Sequence, residues 1–458
     1  MIGYGIFLGC ALLLGGICLC TRKQIRVYEV KSMIYGGGST RNLTLTFSIL
    51  AAWMWTTSVL GSAETYALYG IWGPVSYVLG ACIAFAGLIA VLVFLRRRFP
   101  GGVTWLGYLQ KRYGMRAKTF YYLFAVIVPA YVLIEQGVGI AYVLEDFYGS
   151  SFRIVSFLSV LIATGYVFFG GMKAVLREEQ FTAVVLFAAF AAGAVFVMIK
   201  GEPVQDLEPQ TAGSLSLAAG AVPSALRYFI MAIVIAFGQI VFDPAYYLKA
   251  DLAKSTSGLT LAYILGGIVL WGGITLASSL YLGRTAYVGG VEVTDLFTGP
   301  AMIVFSIVII FIGISTIVHF MIGFLGIFSL DLYETVTGSD GTDRDKIVFG
   351  RILTVAMGLF CASMTIALEN ISLLTIDVFC AIFFAAPCVP LLIGIISQRN
   401  FGKLPVISVV AGIVGGLIVW MCASGGLYEN QFAGMGASLL IPLIVMMGGY
   451  VKRLPYDG

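Results

Sequence analysis

The residues that could do chemistry in this chain are oxygen-bearing and sit where oxygen is costly. Residues 43–70 read LTLTFSILAAWMWTTSVLGSAETYALYG, span-like at both ends but carrying Trp53, Trp55, Thr56, Thr57, Ser58, Ser62 and Glu64 in the middle. Lipid gives such groups no partner, so the run must face protein, water or ligand. A second apolar run, FIGISTIVHF, holds Ser315 and Thr316, with Ile312 one turn earlier on the same face. Hydroxyls in a span often bond back to the preceding turn. With carbonyls freed by a broken helix they also make the cage of neutral oxygens that a hard cation requires. Glu64, Glu135, Asp243, Asp377 and the single histidine, His319, fall within or at the ends of apolar runs, where an ionisable group is by default functional. Asp243 precedes Pro244, which predicts a helix that stops or breaks there. There is no His/Cys cluster, no phosphate-binding glycine loop and no GxSxG, so the chemistry indicated is ion and solute binding, and an enzyme is not expected.

The elements that position these groups are membrane helices. Of 458 residues 60% are hydrophobic and 11% charged, with a mean hydropathy of +0.98, a composition that excludes a soluble core of this length. Thirteen spans are predicted, at about 3–20, 45–67, 72–95, 120–143, 154–170, 181–199, 224–245, 257–281, 300–329, 347–367, 371–396, 404–423 and 434–451. The first lacks a basic lead and a cleavage site and reads as a retained helix. Of 27 Lys and Arg, only Arg153, Lys200, Arg227 and Arg284 fall on one face, leaving 23 on the other. The positive-inside rule then puts the N-terminus outside and the C-terminus in the cytoplasm of a multi-pass protein of the plasma or inner membrane. The eight cysteines are scattered and read as packing residues. The modest net charge of +4 is spread over short loops and points to no nucleic-acid partner.

Four landmarks, in order, resemble the sodium:solute symporter family: AAWMWTTSVLGSAETYALYG followed by GPVSYVLG, FFGGMKAVLREEQFTAVV, ISTIVHFMIGFLGIFSLDLYE, and PLLIGIISQRNFGKLPVISVVAGIVGG. LKADLAKS is similar to a short basic stretch of the same family. The WxW run and FDPAYY are similar to its urea active transporter branch.

The resemblance implies an all-α integral membrane fold with a LeuT-like core of two inverted five-helix repeats. Its units would be 1–42 (extra N-terminal helix and cytoplasmic loop), 43–200 (first repeat), 201–223 (extracellular linker), 224–425 (second repeat) and 426–458 (C-terminal helix and tail). It implies a sodium site at Ala51, Met54, Ile312, Ser315 and Thr316, in agreement with the oxygen cage read from the residues, and an ion exit past Glu179. The substrate pocket would draw on Trp53, Thr56, Thr57, Ser58, Glu135, Gln136, Gln239 and Asp243. Sugar-transporting members carry Glu-Gln where this chain has Thr57-Ser58, which argues against a sugar. No Lys or Arg is expected in the middle of a core helix, so the acids favour a neutral hydrogen-bonding solute or a cation. The expected activity is sodium-coupled import of a urea-like amide or amine by alternating access. Sodium is the coupling ion, no resident cofactor is needed, and the partners are the small solute, sodium and the lipid bilayer. The alternatives are proton coupling on the same fold, uptake of an amino acid or carboxylate, and a ligand-sensing homologue.

Overall fold

The computed structural model describes residues 1–99, 104–200, 221–369, 371–397 and 401–451. Its long helices are α1 (Ile2–Arg22), α2 (Asn42–Trp53), α3 (Thr56–Tyr69), α4 (Trp72–Arg98), α5 (Met115–Tyr148), α6 (Phe152–Lys200), α7 (Ala221–Val241) and α8 (Pro244–Asp251). They continue as α9 (Thr256–Tyr287), α10 (Pro300–Ile327), α11 (Asp343–Thr365), α12 (Leu373–Ile396), α13 (Leu404–Cys422) and α14 (Leu427–Val451). Among the described residues, eleven helices are long and apolar enough to cross a membrane, and α2 with α3 forms a twelfth span bent by 52°. Helix α6 breaks at Gly171 (φ 56°, ψ −164°), where a Cβ would run into the Met33 carbonyl. Counting its two halves separately gives the thirteen expected spans. Most of the expected linker, residues 201–220, lies outside the described residues, as do Lys452 and Arg453.

Among the described residues the regular elements are all helices, and two spans are interrupted. In the first, Met54 and Trp55 leave the helical region (φ −85°, ψ 92° and φ −92°, ψ 165°) and separate α2 from α3. In the second, Asp243 is extended (φ −83°, ψ 115°) before Pro244, the first residue of α8, and its side chain accepts the Ala245 N–H at 2.8 Å. Proline keeps the residue before it out of the α region and is well placed at a helix start, so the break expected at Asp243 is built into the sequence. Five spans counted from Ala221 end at Ile396. Helix α13 packs chiefly against α14, as a terminal hairpin.

At the centre lies α10, whose residues Ile309 to Ile327 are all buried. Thr56 lies where α5 and α10 approach the first break. Gly313 leaves room beside it, and Gly139 is more constrained: a Cβ there would fall 2.7 Å from Thr56 Cβ. Exposed large apolar side chains are spread over the outer helices, as lipid contact requires.

Candidate functional site

At the first break side chains take over the bonds that a continuous helix would make. Thr56 N–H donates to Gln136 Oε1 at 2.7 Å, Trp55 Nε1 to Ala52 O at 2.9 Å, and Trp55 N–H to Ser58 Oγ at 3.2 Å. The last of these would otherwise be aimed at Ala51 O, four residues back. Thr316 Oγ1 on α10 lies 3.3 Å from Met54 O and 3.0 Å from Ile312 O. A hydroxyl and carbonyls from two helices thus converge on one point, all fully buried. Ser315, next to Thr316, is also fully buried. Its hydroxyl has no hydrogen-bond partner and faces Glu178. Of the five expected cation ligands, Met54, Ile312 and Thr316 are brought together, Ala51 is one turn away in α2, and Ser315 borders the point on the Glu178 side. None faces lipid.

Below this cage runs a chain of charges. Glu179 on α6 accepts from Ser48 Oγ at 2.5 Å and forms an ion pair with Lys249 of α8. His319 Nδ1 is 3.5 Å from Glu179 Oε1, and His319 Nε2 is 2.7 Å from Asp243 Oδ2. All four side chains are fully buried. Glu179, expected beside the ion's exit, therefore has its charge already matched. No Lys or Arg is expected in the middle of a core helix; Lys249, in the last turn of α8, is nonetheless at 0% exposure. The sequence concealed it: KADLAK looks like the basic edge of a loop, and only the break at Asp243 extends the buried helix that far.

The expected solute-binding residues divide. Trp53, Trp55, Ser58, Gln239, Trp271 and Asp377 line a small cavity of about 20 Å³. The Trp53 ring lies 4.9 Å from Trp55 and 5.4 Å from Trp271. Gln239 Nε2 donates to Asp377 Oδ1 at 2.5 Å and to Tyr131 OH at 2.8 Å, and Tyr131 OH also bonds Asp377. Glu135 is buried beside this group, its Oε2 accepting from Gln136 at 3.4 Å and its Oε1 without a partner. Trp53 Nε1 and Thr57 Oγ1 are likewise buried and unpartnered. Thr56 and Gln136 instead brace the break, and Asp243 caps α8 and pairs with His319. Sequence reasoning flagged Asp377 as intramembrane without placing it in the pocket, and it missed Tyr131 and Trp271. Their isolated aromatic letters carry no periodic or motif signal.

Tyr228, which lines this cavity, stacks on Tyr69 at 5.1 Å, and Ser372 donates to Glu64 at 3.0 Å. On the side of the basic loops a much larger void of about 470 Å³ opens among Arg96, Trp105, Tyr247, Asp251 and Asp331.

This geometry can be set beside known proteins. Residues 33–237 match the model of the sodium:solute symporter family. The probable urea active transporter 1 of Schizosaccharomyces pombe is 21% identical over 97% of this chain and 76% of its own length. The urea-proton symporter DUR3 of Oryza sativa subsp. japonica is 22% identical over 91% of this chain and 64% of its own. The chain thus spans 64% to 76% of these relatives' own length. The solved substrate-bound, outward-open structure of a Na+-coupled sialic acid symporter shares the fold, with a TM-score of 0.72 at 16% identity over 98% of both chains. The family resemblance read from the four landmarks holds over the matched residues, and the relatives are named as a urea active transporter and a urea-proton symporter.

Proposed function

We propose that this chain is a sodium-coupled symporter that imports a small neutral or cationic polar solute, a urea-like amide or an amine, by alternating access across the plasma or inner membrane. The observation that carries the reading is Thr316, whose hydroxyl joins the Met54 carbonyl at the break between α2 and α3 to the Ile312 carbonyl of α10. Free carbonyls at a discontinuous helix, near a hydroxyl from its neighbour, are how such folds hold sodium. The site comprises Ala51, Met54, Ile312, Ser315 and Thr316. Sodium bound there ties α2 and α3 to α10 and so orders Trp53 and Ser58, which line the adjoining pocket. Sodium and solute then raise each other's affinity, because coupling is reciprocal.

The pocket favours the solute class. Of the pocket's lining, unpartnered Trp53 Nε1 can donate to a carbonyl and Asp377 can accept from amino groups, and Glu135 is a second buried acid. Two buried acids with no cation at the cavity oppose an anionic substrate such as a carboxylate. The names of the relatives, urea active transporter and urea-proton symporter, support an amide. In this orientation the N-terminus is outside and the basic face cytoplasmic. Sodium leaves toward that face past Glu179, whose charge Lys249 holds.

The test is uptake of labelled urea and of methylamine by the purified protein in liposomes, with sodium or potassium outside. An inward sodium gradient should drive accumulation. Thr316→Ala removes one oxygen from the cage; a hydrogen bond to a charged group is worth about 1.5–3 kcal/mol, so the sodium concentration for half-maximal uptake should rise roughly 10- to 150-fold. Uptake indifferent to sodium and to Thr316→Ala would refute the scheme. Proton coupling is the second reading, favoured by the rice relative's name and by the buried acids at the pocket.

A further inference from the structure

The buried charge chain does more than hold helices together. His319 is the only histidine of the 458 residues. Its Nε2 is 2.7 Å from Asp243 Oδ2, and its Nδ1 has Glu179 Oε1 as a neighbour at 3.5 Å. A neutral imidazole carries one N–H and one lone pair. Between two carboxylates, whichever nitrogen lacked the proton would aim its lone pair at an anion, in an interior that screens little. A ring protonated on both nitrogens donates to Asp243 from Nε2 and places its second N–H, which has no hydrogen-bond partner, beside the Glu179 carboxylate. Charge counting agrees: Asp243 and Glu179 are negative and Lys249 positive, so the cluster carries −1 with a neutral ring and zero with a charged one. Buried charges persist when paired.

The other groups around the ring are compatible. Tyr246 of α8 lies 4.6 Å away, ring to ring, with Tyr263 of α9 behind it donating to the Tyr246 carbonyl at 2.5 Å. Glu178, beside Glu179, is turned to Thr182 at 2.7 Å. Through Ser48, Glu179, Asp243, Lys249 and His319 the cluster joins α2, α6, α8 and α10, including parts of both interrupted helices.

We infer that His319 is a proton-binding site of the transport cycle: it takes up a proton when Asp243 and Glu179 close on it, as here, and releases it to water when α8 moves and Asp243 withdraws. The inference rests on the transport reading above but not on the sodium cage.

A single histidine makes the test direct. The protein is purified through a histidine-free tag, labelled with 15N-histidine, returned to liposomes and observed by solid-state NMR at about pH 7. One signal, from a ring protonated on both nitrogens, is expected, and Asp243→Asn should convert it to a neutral ring. A neutral ring in the unmodified protein, or a charged ring unaffected by Asp243→Asn, overturns the inference. In parallel, an inward acid gradient without sodium should raise initial urea uptake several-fold, and His319→Gln, checked for folding by thermal unfolding, should abolish that response. A response that survives His319→Gln overturns the inference. If the acid gradient drives uptake through His319 while a sodium gradient drives none, the sodium cage fails and the proton site stands.

Discussion

Replacing Lys249 by methionine should destabilise the protein more than any other single change in the charge chain. The ammonium and the Glu179 carboxylate are both at 0% exposure, so water cannot take the lysine's place. Removing one partner of a buried ion pair typically costs about 3–5 kcal/mol, chiefly because the other charge is stranded. Here Glu179 would keep the Ser48 hydroxyl at 2.5 Å and His319 at 3.5 Å. A hydrogen bond to a charged group returns about 1.5–3 kcal/mol, which places the loss at the lower end, near 3 kcal/mol. Lys249→Met combined with Glu179→Met removes both charges, and such apolar replacement is often close to neutral. The double variant should therefore lie within about 1 kcal/mol of the parent, roughly 2 kcal/mol better than Lys249→Met alone. Unfolding by SDS titration in mixed micelles, across the four members of the cycle, measures it. A Lys249→Met loss under about 1 kcal/mol, or one equal to that of the double variant, would show that the pair is not what keeps Glu179 buried.

Three further outcomes follow from the site. Trp53→Phe keeps the ring stack but deletes the unpartnered N–H, so half-saturation for urea should rise about tenfold, the worth of one hydrogen bond, while that for methylamine stays within about twofold. Asp377→Asn should act in the opposite sense, weakening methylamine more than urea, because only the amine loses a charge partner; uptake kinetics on both solutes decide. Gly139→Val would push a side chain into Thr56 at the first break. A cost of about 1–3 kcal/mol is expected from overpacking, visible as a lower thermal midpoint without a changed preference between the two solutes.

Much of this was legible in the sequence because the bilayer prices polar groups steeply. The span pattern, the break before Pro244, and the pairing of the first interrupted helix with Ser315 and Thr316 all rest on groups that hydrocarbon cannot satisfy. Orientation rested on counting arginines and lysines. What escaped depends on distance in space. Lys249 reads as loop until the helix beyond the break is seen to be buried. Asp243, grouped with the pocket because it sits on the second interrupted helix, turns instead to its own helix start and to His319. Thr56 and Gln136 share the polar letters of true pocket residues yet serve the backbone of the break. No spacing rule separates a side chain that meets a solute from one that stands in for a missing amide bond.

The unequal rooms on the two sides of the pocket have a kinetic meaning. On the transport reading, the cavity at the tryptophans holds about 20 Å³ and the void on the side of the basic loops about 470 Å³, so a solute-sized molecule fits the second and not the first in this shape. Each round must then include a return journey of the empty carrier, and whatever slows that return caps turnover however tightly the solute is held.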